Sequence, residues 1–585
     1  MTASDRSHAI RGGLVFDGLG NEPRRADVLV RGGRIEAVVD PGTTLPAEAL
    51  PIDATDAWVT PGFVDLHTHY DAEVELAPAL GESIRHGVTT IMLGSCGLSL
   101  AVGDPTDLAD MFCRVEGIPR ATVKPLLERL KDWDTPAQYL DHLAGLPLGP
   151  NVCNLLGHST IRAHAMGLGR SLDEHVRPTA EEMGRMEQLV EDSLDAGYLG
   201  LSINTLPWDK MDGDEYRSRP TPSVYGTWKE YRRLAKILRR RGRVFQGVPN
   251  LRTKVNIALF LLVSAGIFVR RPLKTTLIAL IDAKSSRSAA VLAAVATRLT
   301  NVLLRGDVRF QALPNVFDLW TDGMEVPVLE EVAAGTEALH LRTDEARAQL
   351  LRDPEYRRRF KRQWASWVFG KAYHRDLHQT EIVDAPDAAL VGKSFGAVGD
   401  ERGIDAVDAY LDLVAEHGNA LRWYTVVGND RPARLRWILQ RPDILVGFSD
   451  AGAHLRNMAY YNFPLRLLKQ VVEAERAGTP FMTVARAVQR LTSEIAEWMG
   501  IEAGTLRPGD RADVAVIDPA GLTDDVDRIV EAPMPGFSDL QRLVRRNDAA
   551  VRAVLVGGRL AYTPASFAEG LGRDRGYGTL LRARD

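Results

Sequence analysis

The sequence predicts an α/β chain in which eight strand–helix units close a TIM-like (β/α)8 barrel, flanked by a small β-sandwich domain formed from both termini. Three observations predict this. Eight apolar strand candidates alternate with amphipathic helical stretches through the middle of the chain, the pattern of βα units on a parallel sheet. The two ends of the chain resemble each other, each reading as short strands broken at Gly-Gly or Asp-Gly. Polar residues stand at the C-terminal ends of the middle strands, where such barrels keep their active sites.

The elements follow in order. HAIRGGLVFDG, ADVLVRGGRIEAVV and AWVTPGFVDLHTH alternate apolar and polar residues over 8–69, and ADVAVIDP (512–519) and VRAVLVGGRLAY (551–562) repeat the pattern near the other end. A sheet that takes strands from both ends brings them together, so 1–60 and 505–585 are expected as one β-rich domain around a barrel of residues 61–504. The strand candidates of the barrel are 63–69, 87–94, 151–158, 198–204, 243–249, 274–283, 308–314 and 444–450. Two stretches exceed ordinary βα connections, the polar 205–240 and the charged, helical 340–400, and are expected as insertions over the barrel mouth.

Composition narrows the function. With 585 residues the chain exceeds the roughly 250–300 at which one core stops growing. A net charge of −5 without blocks of Lys or Arg speaks against nucleic acid as a partner. Three cysteines, Cys96, Cys113 and Cys153, do not make a disulfide framework, and a reducing cytoplasm is the simpler setting. The opening MTASDRSHAIRGG lacks the apolar core of a signal peptide. The most apolar run, 257–269, is shorter than the ~17–25 residues that span a bilayer, so no stable membrane insertion is expected. A buried or lid helix fits it, and Arg270 and Arg271 behind it leave a peripheral surface role open. The oligomeric state stays open as well.

The chemistry begins at Pro61-Gly-Phe-Val-Asp-Leu-His-Thr-His-Tyr70. Residues i and i+2 of a strand point the same way, so His67 and His69 present both imidazoles to one side. Two imidazoles at a strand end chelate Zn²⁺ or a similar ion. A bare H-x-H is usually two surface histidines, but here it closes an apolar strand behind Pro-Gly.

PGFVDLHTHYD, GVTTIMLGSCG, LLGHSTIR, GFSDAGAH and the tail LTSEIAEWMGIEAGTLRPGDRADVAVIDP together resemble the amidohydrolase superfamily, and within it the N-acyl-D-amino-acid deacylases. The resemblance is tight over 58–100, 150–168 and 443–519 and loose between 205 and 400. It implies a zinc site and hydrolysis of an acyl amide. It implies further that Cys96, in GSCG, is a metal ligand, the alternative being a buried small apolar residue. Cys113 and Cys153 have no such context and read as structural. Asp450, ending ILVGFSD, is implied both as a metal ligand and as the catalytic group that shuttles the proton from the nucleophilic water, the alternative being a helix N-cap. His158, with Arg162 near it, either binds the substrate carbonyl or only ties loops together.

The chain also departs from that family. Of 13 histidines none lies between His175 and His340, which removes the two metal histidines the family draws from its fifth and sixth strands. Gln246 stands where the first is expected, and Asp282-Ala283-Lys284 where the family has His-His-Lys, making Asp282 a stand-in ligand and Lys284 a partner for a substrate carboxylate. His454 and Arg456 follow Asp450 as a His-x-Arg segment, and an arginine there clamps a carboxylate bidentately unless it is a surface residue. The expectation is one zinc per chain, or another divalent metal, at His67, His69 and Asp450, helped by Cys96 and Asp282. A small carboxylate-bearing substrate meets Gln246, Lys284, His454, Arg456 and His158. A metal-dependent hydrolase of the amide C–N bond of an N-acyl amino acid is the leading reading. A non-hydrolytic lyase or decarboxylase on the same barrel, or a catalytically silent binding protein, are the alternatives.

Overall fold

A computed structural model describes residues 7–250, 253–267, 269, 271–366, 371–537 and 540–584. Its centre is a run of eight parallel strands, one for each sequence candidate: Phe63–Asp65, Val88–Leu93, Asn151–Asn154 continued by Leu156–Gly157, Gly200–Asn204, Val244–Val248, Lys274–Leu277, Asp307–Ala312 and Ile444–Val446. Each pairs in parallel with the next. The pairing then returns to its start. Leu66 N–H donates to Gly447 O at 2.8 Å, Asp450 N–H to His67 O at 3.1 Å and His69 N–H to Ala451 O at 2.7 Å. Strands covered on both faces read as unbroken apolar runs, which is why all eight stand out in the sequence. Val64, Leu66, Met92, Cys153, Leu155, Leu199, Val244 and Leu445 pack together in one buried cluster with Ile495 and Trp498, so Cys153 is a core side chain.

Both ends of the chain meet in one nine-stranded sheet that curls back on itself, Ile35 N–H donating to Asp510 O at 2.9 Å and Ala512 N–H to Gly33 O at 3.0 Å. Val514–Ile517 pairs antiparallel with Trp58–Pro61, joining strands of the first sixty residues to strands of the last seventy-five. Ile10, Val28, Val59, Val514 and Leu555 form the core under it. The chain passes from this sheet into the first parallel strand at Gly62, where a Cβ would stand 2.0 Å from Thr89 Oγ1, so only glycine fits.

The second insertion is larger than its sequence signal. Residues 340–400 are the middle of a unit that starts at Phe317–Asp322 and ends at Arg422–Gly428, two strands that pair antiparallel, with Thr380–Asp384 on the far side of the second. The unit has its own core of Leu319, Phe360, Tyr410 and Trp423 among others. In the first insertion, residues 205–227 form the loop and Trp228–Arg241 is an ordinary connecting helix, started by Thr227 and stopped by Gly242. The apolar run contributes the helix Lys254–Ser264, while its Phe268 and the following Arg270 lie outside the described residues. Among the described residues no helix is long and apolar enough to cross a membrane.

A buried ion pair pins the last part of the chain to the short helix Glu73–Leu76 that follows the first parallel strand. Arg542 Nη1 donates to both oxygens of Glu73, at 2.9 and 2.8 Å, with both side chains almost wholly buried. Removing one partner of such a pair strands a charge in a low-dielectric interior. Arg542→Ala is expected to cost about 3–5 kcal/mol of stability in urea unfolding. A loss under about 1 kcal/mol would show that water reaches Glu73.

Candidate metal centre

His67 and His69 leave the end of the first parallel strand side by side, buried, with ring centroids 5.4 Å apart. Cys96 sits in the turn after the second strand, its Sγ 3.3 Å from His67 Nε2. One donor atom from each of these three residues lies within 4.8 Å of the other two. Asp450 Oδ1 lies beside these three, 3.7 Å from His67 Nε2 and 3.4 Å from His69 Nε2. A tetrahedral zinc with bonds of about 2.0–2.3 Å holds its ligand atoms about 3.3–3.8 Å apart, and the Cys96–His67, His69–Asp450 and His67–Asp450 spacings fall in that range. Among the described residues Asp450 pairs with no Lys or Arg, which leaves a largely buried carboxylate facing two imidazoles. The donor set is that of a divalent cation site.

The backbone is bent to produce it. Cys96 (φ 55°), Asp450 (φ 58°) and His454 (φ 48°) all adopt the left-handed conformation that L-residues disfavour. Such residues cost of order 1–2 kcal/mol each and persist where the surrounding structure holds them. Here the holding groups are visible. Cys96 N–H donates to Gln246 Oε1 at 3.0 Å, and Gly97 N–H to Ser202 Oγ at 2.9 Å. His67 Nδ1–H donates to Gln311 Oε1 at 2.8 Å, and Gln311 Nε2 donates in turn to Thr276 Oγ1 at 3.2 Å. With Nδ1 protonated, the Nε2 lone pair of His67 faces Cys96 and Asp450, the tautomer a metal requires.

Burial sets the charges. It pushes His67 down to about 3, so that imidazole is neutral. Burial also opposes ionising Asp450, but the His69 hydrogen bond and the two imidazoles outweigh it and hold the carboxyl well below its usual range. The Cys96 thiol is raised by burial and by the carboxylates of Asp209, Asp450 and Asp71. Asp71 is pushed up to about 7 and Asp209 to about 6, each mainly by burial and each drawn back by His69.

The structure gathers His67, His69, Cys96, Asp450 and Gln246, but Gln246 is fully buried and its amide oxygen accepts from Cys96 N–H, so it positions ligands instead of meeting substrate. His454 faces the same group: its imidazole acts on Asp450, and it lines a cavity of about 300 Å³ with Arg114, Trp208 and Asp209. Four other expectations are corrected. Asp282 lies five residues past the end of the sixth strand, where Arg431 takes both its oxygens at 2.7 and 2.5 Å; the sixth strand is linked to the cluster by Thr276. Lys284 donates to Gln379 at 2.9 Å and pairs with Asp430 at 3.4 Å. Arg456 is held by Asp322 at 2.8 Å and Glu531 at 3.0 Å. His158 Nε2–H donates to Glu230 Oε1 at 3.0 Å, which Arg162 also reaches, and its Nδ1 meets Ser223 at 3.1 Å, so it ties loops together. Sequence reasoning missed Asp71, Asp209 and Gln311. Asp71 continues the 67, 69 alternation, and Gln311 is a lone amide in an apolar strand, so both left a signal; Asp209 sits on a loop without periodicity.

No family model matches the chain. The uncharacterised protein Rv2913c of Mycobacterium tuberculosis is 48% identical over 583 residues, 98% of this chain and 95% of its own length. The D-aminoacylase of Alcaligenes xylosoxydans xylosoxydans is 35% identical over 199 residues, 33% of this chain and 36% of its own. Among solved structures, the N-acyl-D-glutamate deacylase of Bordetella bronchiseptica, complexed with zinc and a phosphonate inhibitor, aligns with a TM-score of 0.61 at 22% identity, covering 99% of this chain and 100% of that one.

Gln311→Leu keeps the volume and deletes the acceptor of His67 Nδ1–H. Zinc affinity, measured by competition with a chromophoric chelator, is expected to fall about 10–100-fold. Unchanged affinity would mean that His67 is not oriented from this side.

Proposed function

The chain belongs to one family with the mycobacterial protein, and on that premise we propose that it is an enzyme of the amidohydrolase superfamily, a metal-dependent hydrolase cleaving the amide C–N bond of an N-acyl amino acid or a related small amide. One observation carries this reading: two imidazoles, a thiol and a carboxylate converge in a buried group at the C-terminal ends of the parallel strands. The proposal reads the eight strands as a (β/α)8 barrel over residues 61–504, with 1–60 and 505–585 as its β-rich domain. One zinc per chain, or another divalent ion, is held by His67, His69, Cys96 and Asp450. When bound, it supplies Lewis acidity to the reacting water and to the acyl carbonyl.

The chain's own groups do the rest. Neutral His67, fixed by Gln311, keeps its lone pair on the metal side. The Asp450 carboxylate takes the proton of the reacting water and returns it to the leaving nitrogen, the work of a positioned carboxylate. The cavity beside His454 receives the substrate. Arg114 lines it and, among the described residues, makes no ion pair, so it takes over the carboxylate-binding role that Arg456 and Lys284 cannot fill.

The test is amine release from a panel of N-acyl-D- and N-acyl-L-amino acids by metal-loaded and chelated protein. Release from at least one member that stops on chelation is expected; none from any member of the panel would remove the reading. Asp450→Asn keeps the shape and an acceptor oxygen but cannot take a proton near neutral pH. Turnover of the metal-replete variant is expected to fall about 10²–10⁴-fold. A loss of only a few-fold would assign proton transfer to another group.

A further inference from the structure

The outer face of two neighbouring helices has the reverse of the usual polarity. Thirteen large apolar side chains stand exposed among the described residues, and nine of them fall between Val255 and Leu303. On Ala289–Leu303 they sit at 292, 295, 299, 302 and 303, one helical face, with Leu292 59% and Leu303 62% exposed. The opposite face packs inward through Ala290, Ala294 and Thr297. The helix is thus apolar on both sides, although one of them meets water. Lys254–Ser264 packs against it and exposes Val255 (68%) and Leu262 (59%), seven residues apart on one face of its own. Gly266 N–H donates to Leu304 O at 2.9 Å, tying the C-terminal ends of the two helices together. Contiguous exposed apolar surface on this scale marks a contact with something other than water.

Charge says what covers it. Residues 251–306 contain nine Lys or Arg and one acidic residue, Asp282, in a chain whose net charge is −5. Asp282 is buried and already paired with Arg431. Arg271, Arg287, Arg298 and Arg305 are exposed among or beside the apolar side chains, and Arg298 reaches Asp443 at 3.5 Å. Two copies joined through this face would bring two strongly positive segments together. An anionic bilayer matches both features: apolar side chains enter the acyl boundary while arginines meet lipid phosphates. Helices of 11 and 15 residues lie in such an interface and do not cross it.

We propose that the outer face of helices Lys254–Ser264 and Ala289–Leu303 docks reversibly on an anionic membrane surface. The inference is independent of the reaction at the metal centre.

The experiment is flotation of the full chain with vesicles of phosphatidylcholine alone or of phosphatidylcholine with phosphatidylglycerol, at low and high salt. Binding to the anionic vesicles at least about ten-fold tighter than to the neutral ones, weakened by salt, is expected. Leu292→Glu with Leu299→Glu should abolish flotation with the circular dichroism spectrum unchanged. Should that pair fail to fold, Arg271→Glu with Arg305→Glu touches only exposed positions and should remove the preference for the anionic vesicles. Absence of flotation with either vesicle, or equal binding to both, overturns the proposal. So does a lipid-free dimer, seen by analytical ultracentrifugation, that the glutamate variants dissolve, because a second copy would then be the occupant.

Discussion

Asp450 donates its backbone N–H to the carbonyl of His67, and His69 donates its own to the carbonyl of Ala451. These two bonds, with that from Leu66 to Gly447, join the last parallel strand to the first, and everything else at the site hangs on them. They close the ring of pairing and in the same step place both histidines against the aspartate. A register slip of one residue here would turn His67 and His69 away from Asp450, because side chains alternate along a strand. Closure of the fold and assembly of the ligand group are therefore one event.

The group that results is polar and held by amides from the neighbouring strands. Gln246 from the fifth strand and Gln311 from the seventh, with Thr276 from the sixth, orient Cys96 and His67 through hydrogen bonds. Neutral donors and acceptors hold the ligands without competing for the cation, while the carboxylates of Asp71, Asp209 and Asp450 supply negative potential at the Cys96 thiol. An isolated buried carboxylate is costly, and a cation offsets that cost. Metal binding and stability of this interior are thereby linked.

The eight strands were legible because strands covered on both faces are continuous apolar runs, and His67-x-His69 because a strand has period two. Asp450 and Cys96 were legible only through the resemblance, since a single Asp or Cys at a turn has no pattern of its own. Asp282 was misplaced because the sixth strand stops at Leu277 and the segment after it turns toward Arg431, a bend that apolar periodicity does not report. Arg456, Lys284 and His158 read as available polar groups because their partners are remote in sequence; Glu531 is 75 residues from Arg456 and Glu230 is 72 from His158. Asp209 was invisible because it sits on a loop without periodicity. The insertion read as 340–400 runs from 317 to 428 because its two bounding strands look like further strands of the main sheet until their antiparallel pairing is seen.

X-ray absorption at the zinc edge of the zinc-loaded chain tests the central claim most directly, because it counts ligand atoms by element and distance. The geometry of His67, His69, Cys96 and Asp450 requires one sulfur at about 2.3 Å and two imidazole nitrogens at about 2.0–2.1 Å, in a shell of four or five. A shell of oxygen and nitrogen with no sulfur would contradict the assignment of Cys96, and a shell of oxygen alone would contradict the site.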